Sequence, residues 1–414
     1  RIYDVMLQRA EQMLAGGQLD RTTAYAMVVK PPAAPNVIAA EQIAQVRLHP
    51  KVAGVRFHGR VRESIHEALD NVGLGIDGLP FRIQRGQREH DNGLKRRRAQ
   101  RNLHLADLEI AAYGRSPNMV NCLAEAAQTL GNAERAVELY TETLETDATS
   151  SNERLEAYYG LLTSLDATPN ARSTQRSLCI KALEEFPLDA QLLCAMGGYL
   201  QADGQVELAI RSYQTAFDYG HVNPLVWHLD EITAIAAVCH STALQTQGKD
   251  DLALEVLQNA IAREGDVVRL RRALLELHIK HQRRDAALQQ VPYIVAKTDT
   301  TELSRAVEGA CLAAAKDWAN AQTMLQQAYA AGCRDAICFR WLTITMSAPA
   351  QHDAVAHLLK AWCETHPADP EPRQIAQAIF PSGGGATTPP ANIRVDTATQ
   401  PVSQRDAQTQ HAHK

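Results

Sequence analysis

One short pattern recurs from residue 131 onward and constrains the fold of this chain more than any other feature. Gly131, Gly204 and Gly248 each begin a polar turn, and an alanine follows each glycine five positions later. Apolar residues at helical spacing flank every copy. Glycine permits the backbone of a tight turn, and the small alanine side chain lets two helices approach closely. The pattern therefore predicts helical hairpins that stack on one another.

Weaker copies of the pattern extend this array. Segments 283–288 and 316–321 occupy the same role without the glycine. The spacing between successive glycines is irregular, at 73 and then 44 positions, whereas two regular hairpins of about 34 residues would need about 68. We interpret residues 220–231 as an insertion. Second helices are expected to end at or near three prolines: Pro187, Pro292 and Pro367.

The repeated turn resembles that of tetratricopeptide (TPR) repeats, over about residues 116–366 and with six or seven helix pairs. Three copies share the turn, and none carries the full repeat consensus. A single hairpin cannot bury its apolar face alone, so neighbours stack into a superhelix with a concave surface. The resemblance implies that an extended peptide or a helix of a protein partner binds along this concave face.

The composition agrees with a mainly α protein. The 414 residues are 45% hydrophobic but only 5% aromatic, and alanine and leucine supply most of the apolar side chains. A formal net charge of −5 indicates neither a nucleic-acid nor a membrane partner. No apolar run approaches the roughly 18 residues that span a bilayer. Eight cysteines without a C-x-x-C pair are typical of small hydrophobic core residues in a reducing compartment, so we expect a cytoplasmic protein.

Residues 82–101 are strongly basic, with eight Lys or Arg residues against two Asp or Glu residues. Such a cluster can bind phosphate or an acidic surface. The alternative is the solvated first part of a helix, and the sequence does not decide between the two.

The chain is expected to contain a small α/β block (1–92), a connecting helix (93–115), TPR-like repeats (116–380) and a disordered tail (381–414). Within the block, the apolar runs predict a helix at 1–16, strands at Tyr25–Val29, Ile43–Leu48, Val55–Val61 and Leu74–Ile83, and a helix or turn at Ile65–Val72.

Short motifs in the block and the connecting helix follow a specific order. Val46-Arg47-Leu48 precedes Gly59-Arg60-Val61-Arg62-Glu63, and 98–105 follows as Arg-Ala-Gln-Arg-Asn-Leu-His-Leu. Over about residues 20–112 the block resembles the C-terminal portion of a family-2 glycosyltransferase domain, of the GT-A fold, fused to TPR repeats. In that branch the second motif is Gly-Arg-Val-His-Glu, so Arg62 replaces its histidine. The family's later His-His pair and tyrosine are missing from 83–87.

The resemblance implies a nucleotide-sugar donor, a divalent metal such as Mn or Mg, and inverting transfer to an acceptor hydroxyl. Glu63 matches the family's glutamate and would take the acceptor's proton. Arg47 and Arg60 would stabilise the diphosphate leaving group. The resemblance does not account for Arg62, and our hypothesis is that its guanidinium binds substrate at the diphosphate in place of metal charge. The alternatives are a surface glutamate at the start of a helix and ordinary arginines at strand edges.

No metal ligand is assigned from the sequence. His49, His58 and His66 fall on different predicted elements. No Asp-x-Asp motif occurs between residues 1 and 115, and the nucleotide-binding half of such an enzyme would lie upstream of Arg1. We therefore expect a piece of a longer protein that is inactive alone. Two functions remain open, a glycosyltransferase whose repeats hold an acceptor or partner, and a non-catalytic TPR scaffold with a degenerate transferase remnant.

Overall fold

The computed structural model joins a small mixed sheet to a long array of paired helices. It describes residues 8, 11–13, 15–17, 19–20, 22–31, 39–85, 91–166, 168, 171–298, 300–346, 351–367 and 369–380. Most of the helix predicted at 1–16, and the whole tail 381–414, lie outside the described residues.

The bounds of the elements are as follows. The strands are β1 (Thr23–Lys30), β2 (Glu41–Leu48), β3 (Gly75–Gln84) and β4 (His228–Leu229). The helices are α1 (His66–Asp70), α2 (Asn92–Tyr113), α3 (Pro117–Leu130), α4 (Ala133–Glu145), α5 (Ser151–Leu165), α6 (Arg172–Glu185), α7 (Ala190–Ala202), α8 (Val206–Asp218), α9 (Ile232–Thr246), α10 (Asp250–Glu264), α11 (Val268–Lys280), α12 (Arg284–Leu288), α13 (Val291–Val295), α14 (Leu303–Ala314), α15 (Trp318–Ala330), α16 (Ala336–Thr345), α17 (His352–Thr365) and α18 (Glu371–Ile379).

The four strands form one sheet in the order β3-β1-β2-β4. β1 runs parallel to β3 and antiparallel to β2. The register of β1 against β3 shifts between the pairs Ala26–Gly78 and Val28–Arg82. The predicted strands at Tyr25–Val29, Ile43–Leu48 and Leu74–Ile83 are thus confirmed, with small changes at their ends.

The strand predicted at Val55–Val61 is wrong. This segment is irregular, apart from a single bridge between His58 and Ser64. Gly54 and Gly59 take positive φ angles of 88° and 99°, and Arg62 takes 53°. These left-handed residues interrupt any extended run, and apolar spacing alone did not reveal them.

The helices from α3 onward form seven pairs within the described residues, followed by α18. The fifth pair has a divided second helix, α12 and α13. Pro292 was expected at the end of that helix and instead lies in the first turn of α13, where a missing N–H costs nothing. The ends at Pro187 and Pro367 are confirmed, since α6 stops at Glu185 and α17 at Thr365.

The repeated turn has one backbone conformation whether or not glycine occupies it. Gly131, Gly204 and Gly248 take φ angles of 90°, 76° and 71°. Gln282 and Lys316 stand in the same position with φ angles of 56° and 68°. The weaker copies therefore make the same left-handed turn. Their conformational free energy is higher, because a residue with a side chain is strained at positive φ.

A small buried residue follows each of these turns. The alanines five positions after the five turn residues are fully buried: Ala136, Ala209, Ala253, Ala287 and Ala321. From Ala253 onward this position recurs every 34 residues, and Val355 continues the series, also fully buried. The second half of the array thus has the period of a TPR, and the chain is a mainly α, TPR-like solenoid preceded by a small sheet.

Candidate functional site

The Gly-Arg-Val-Arg-Glu motif forms a closed loop, which we call the motif loop (Gly59–Glu63). The backbones of His58 and Ser64 exchange two hydrogen bonds of 2.8 and 3.0 Å across its base. A Cβ at Gly59 would lie 3.4 Å from the carbonyl oxygen of Val61, and the φ of Gly59 is positive. The positive φ therefore favours glycine at the first position of the loop, where a residue with a side chain would be strained.

Arg62 points out of the motif loop and into the repeats. Its Nη1 donates to Asn118 of α3 at 3.3 Å and to Glu156 of α5 at 3.0 Å, and its Nη2 donates to Glu125 of α3 at 2.7 Å. Burial opposes the charged guanidinium, but Glu156 and Glu125 outweigh it and raise the pKa of Arg62 well above its usual value. Arg62 is thus a charged anchor between the block and the first two helix pairs.

Apolar packing accompanies this anchor. Val61, the neighbour of Arg62, is buried in a cluster with Met119, Val120 and Leu123 of α3. The motif loop is therefore attached to the array by a charged and an apolar contact side by side.

Arg60 lies on the other side of the motif loop, against the long helix α2. Its Nη1 donates to the carbonyl oxygen of Leu108 at 3.1 Å and to Glu109 at 3.2 Å. Here the loop and the helix border an open surface cavity of about 360 Å³, with the exposed ring of Tyr113 at its edge. The cavity is lined by Arg56, Phe57, His58, Gly59, Arg60, Glu109 and Tyr113.

The four residues predicted as a site are not gathered in one cavity. Glu63 is exposed, and its carboxylate makes no hydrogen bond or ion pair within the described part of the chain. The guanidinium of Arg47, at the end of β2, donates to Gln45 on its own strand. Arg60 lines the cavity, while Glu63, Arg47 and Arg62 do not. Their roles as base and substrate-binding residues stay predictions.

A second attachment comes from the insertion between the third and fourth helix pairs, which we call the inter-repeat loop (residues 219–231). Its strand β4 pairs antiparallel with β2, matching Leu229 to Glu41 and His228 to Gln42. Asp230 forms an ion pair with Lys30 of β1. A segment 200 positions away in sequence thus completes the sheet of the block.

Further backbone hydrogen bonds hold the inter-repeat loop at both ends. The amide of Ala44 donates to the carbonyl of Pro224 at 2.6 Å, and the amide of Asp230 donates to Ala40 at 2.8 Å. On its other side the loop binds the array, where the amide of Leu229 donates to Gln191 of α7 at 2.8 Å. The loop therefore bridges the sheet and the repeats.

The two attachments place the block over the first helices of the pairs. The side chains that receive it lie on α3, α5 and α7, and Ala39 packs in one cluster with residues of α7 and α9. In a TPR array the first helices line the concave surface. The sheet and the inter-repeat loop therefore cover part of the side of the array that the first helices form.

In the last three pairs, charged side chains connect the first helices α11 and α16. Arg272 binds Asp335, just before α16, through two hydrogen bonds of 2.9 and 2.6 Å. Arg340 of α16 lies 3.2 Å from Glu276 of α11 and also pairs with Glu371 of α18. Burial alone would raise the pKa of Asp335, but Arg272 outweighs it and holds that pKa below its usual range.

An apolar groove marks the C-terminal end of the array, and we call it the end groove. It lies between α17 and α18 and has a volume of about 440 Å³. Its lining residues are Ala356, Leu359, Lys360, Cys363, Pro372, Arg373, Ala376, Gln377 and Phe380.

Sequence reasoning missed the residues that attach the block. Glu125, Glu156 and Asp230 belong to no motif, and only their contacts reveal them. The available signal was the irregular spacing around residues 220–231, which identified an insertion but not its strand.

The described residues contain no group of three or more His, Cys, Asp or Glu side chains placed to hold a metal ion. No described helix is both long and apolar enough to cross a membrane. Of the eight free cysteines six are buried, as expected for small core residues.

Comparison with known proteins bears on the fold only. No family model and no curated protein matches the chain. Among solved structures it is similar to a TPR protein from Parabacteroides merdae, with 11% identity, 63% of this chain and 97% of that chain covered, and a TM-score of 0.46. It is also similar to yeast Tom70 (12% identity, 71% and 61% covered, TM-score 0.45) and to YrrB, described as a TPR protein with an unusual peptide-binding site (18% identity, 48% and 95% covered, TM-score 0.34).

Proposed function

We propose that this chain is a non-catalytic interaction scaffold. In this function the first four helix pairs hold the α/β block in one orientation, and surfaces of the array that remain free bind a protein or peptide partner. The observation that carries the proposal is the position of Arg62. The residue that replaces the family's histidine directs its guanidinium to Glu125 and Glu156 in the repeats.

The surroundings of the motif support a scaffold over an enzyme. A transferase needs a base and diphosphate-binding groups around one substrate. Here Arg60 is paired with Glu109, Arg62 is paired within the repeats, and Glu63 does not line the cavity beside Arg60. The cavity itself is open to solvent, whereas small-molecule sites bury most of their ligand.

The second candidate is the glycosyltransferase lineage, and Glu63 favours it. Its carboxylate is exposed and unpaired within the described residues, and it belongs to a loop whose base is closed by two backbone hydrogen bonds. In that function Glu63 is the base, Arg47 and Arg60 bind the donor's diphosphate, and a divalent Mn or Mg ion accompanies the nucleotide sugar.

Calorimetric titration of the full chain with UDP-sugars and manganese separates the two candidates. If the chain is a scaffold, we expect no heat of binding from the UDP-sugars. Binding in the micromolar range would overturn the scaffold and support the transferase. The Glu63→Gln variant would then be expected to keep donor binding and lose transfer, with Glu67→Gln on α1 as the exposed control.

A further inference from the structure

Within the described residues, α18 is a first helix without a second helix beside it. In the seven pairs a first helix packs against its own second helix, as α7 does on α8 and α14 on α15. α18 packs on α17 in the manner of a first helix, and no second helix follows it in the described residues. The end groove lies between α17 and α18 and is open to solvent.

The end groove contains small side chains, as do the first helices of earlier pairs where a second helix packs closely. In the third pair Gly197 of α7 leaves room for the ring of Tyr213 on α8, since a Cβ there would lie 2.5 Å from the ring. In the end groove the small side chains are Ala356 and Ala376, and Phe380 at its edge is 37% exposed. Large apolar side chains of an added helix would fill the space above these alanines.

The positive charge of the end groove favours an acidic partner. Lys360 and Arg373 are exposed and line it, and no acidic side chain does. In a symmetric dimer through this face these cations would be brought near their own copies, which is unfavourable. A helix with carboxylates beside its apolar stripe would pair with both cations instead.

We propose that the end groove binds an acidic amphipathic helix of another protein, which packs beside α18 as the second helix does in the seven earlier pairs. This inference rests on the proposed scaffold function and names a partner class for it. In each earlier pair a second helix packs on the first helix. A helix bound in the end groove would pack on α18 in the same way and extend the array by half a repeat.

The chain itself supplies a suitable probe. α4 is the second helix of the first pair, and its sequence carries four glutamates and one arginine. Its apolar face presents Leu139 and Tyr140, which are buried against neighbouring helices in the folded protein. A fluorescein-labelled peptide of residues 133–145 should therefore bind the end groove of the full chain.

The readout is the reactivity of a thiol inside the end groove. Cys363 lines it and is partly exposed, whereas the other partly exposed cysteine, Cys239, lies in α9 far along the sequence. We expect saturating peptide to slow maleimide labelling of Cys363 at least fivefold and to leave Cys239 unchanged. Equal labelling of Cys363 with and without the peptide would overturn the proposal.

Two variants check the location by fluorescence anisotropy of the labelled peptide. Ala376→Trp fills the groove and should weaken binding at least tenfold. Lys360→Glu should weaken it at least threefold, with the exposed Lys181→Glu as the control that keeps full affinity. Unchanged affinity in either groove variant would contradict the assignment, and circular dichroism confirms that each variant is folded.

The tail is tested as the competing occupant with a chain that ends at Phe380. If removal of the tail alone exposes Cys363 to faster labelling, the tail occupies the end groove and the proposed partner is wrong. Equal labelling supports an external helix. Failure of the peptide to bind leaves the UDP-sugar titration untouched, because the two measurements use different ligands and opposite ends of the chain.

Discussion

The Nη2 atom of Arg62 lies 2.7 Å from the carboxylate of Glu125, which joins the motif loop to the first helix of the array. Arg62, which occupies the histidine position of the motif that the sequence resembles, is thus one of the residues that attach the block to the repeats. The φ of Arg62 is 53°, a conformation that costs about 1 kcal/mol for a residue with a side chain. The ion pairs of the guanidinium offset this cost.

Arg62→Ala should lower the free energy of unfolding and loosen the block. The change leaves two carboxylates without their cation, and because Glu125 is about half exposed we expect a loss of about 1–3 kcal/mol. Urea unfolding and amide exchange in β2 measure it. The control is Arg135→Ala, whose ion pair with Glu138 is exposed and should contribute less than about 0.5 kcal/mol. Equal losses in both variants would argue against an anchor.

Asp230→Ala should release the inter-repeat loop from the sheet. Asp230 is buried, and its loss leaves Lys30 without its partner, so amides of β2 and β4 should exchange faster while those of α14 and α15 stay protected. Hydrogen exchange with mass spectrometry gives the readout. Asp251→Ala removes an exposed acid near Arg283 and should leave exchange unchanged. Faster exchange along the whole chain would indicate general destabilisation instead of local release.

The pair of Arg272 and Asp335 should make stability depend on acid pH. The folded-state pKa of Asp335 lies below its ordinary value of 3.8, so its contribution is complete above pH 3.8 and is lost as the pH falls through the folded pKa. We expect Asp335→Asn to be less stable than the natural chain at pH 7, with a gap that shrinks below about pH 4. Unfolding free energies from pH 7 to 3 test this. A gap that is constant with pH would exclude the ion pair as its cause.

Gly204→Ala should destabilise the chain by about 1 kcal/mol, because alanine is strained at a φ of 76°. The matched control is Lys316→Ala at the same position of a later turn. There a side chain already adopts the left-handed conformation, so the change should be less than about 0.5 kcal/mol. Thermal unfolding compares the two. Similar effects in both variants would show that the turn does not require glycine at Gly204.

Truncation after Phe380 should leave the melting temperature of the chain unchanged. Residues 381–414 are rich in Gly, Pro, Thr and Ser and have few apolar side chains, so they contribute little burial. Calorimetry of the two chain lengths checks this. A fall of several degrees would show that the tail packs on the array.

Local pattern predicted most of the fold. Apolar spacing, helix-stop glycines and the buried alanines identified the helix pairs, because each pair is formed by residues near one another in sequence. The same reasoning failed at Val55–Val61. Alternating apolar residues suit a strand, but positive φ at Gly54, Gly59 and Arg62 turns the chain into a loop.

The site was less predictable than the fold. The sequence identified Arg60, Arg62 and Glu63 as one motif, and the structure places them in one closed loop. It did not indicate that Arg62 points away from the cavity that Arg60 lines. The direction of a side chain in a loop depends on the surfaces packed around it, and those come from distant residues.

The sequence by itself determined the class of architecture, a small sheet followed by stacked helix pairs, since both follow from local periodicity and turn residues. Only the tertiary structure decided that the inter-repeat loop completes the sheet through β4 and Asp230. It also decided that the block lies on the first helices of the array. Contacts between segments 200 positions apart depend on how all the helix pairs between them stack, and no local pattern encodes that stacking.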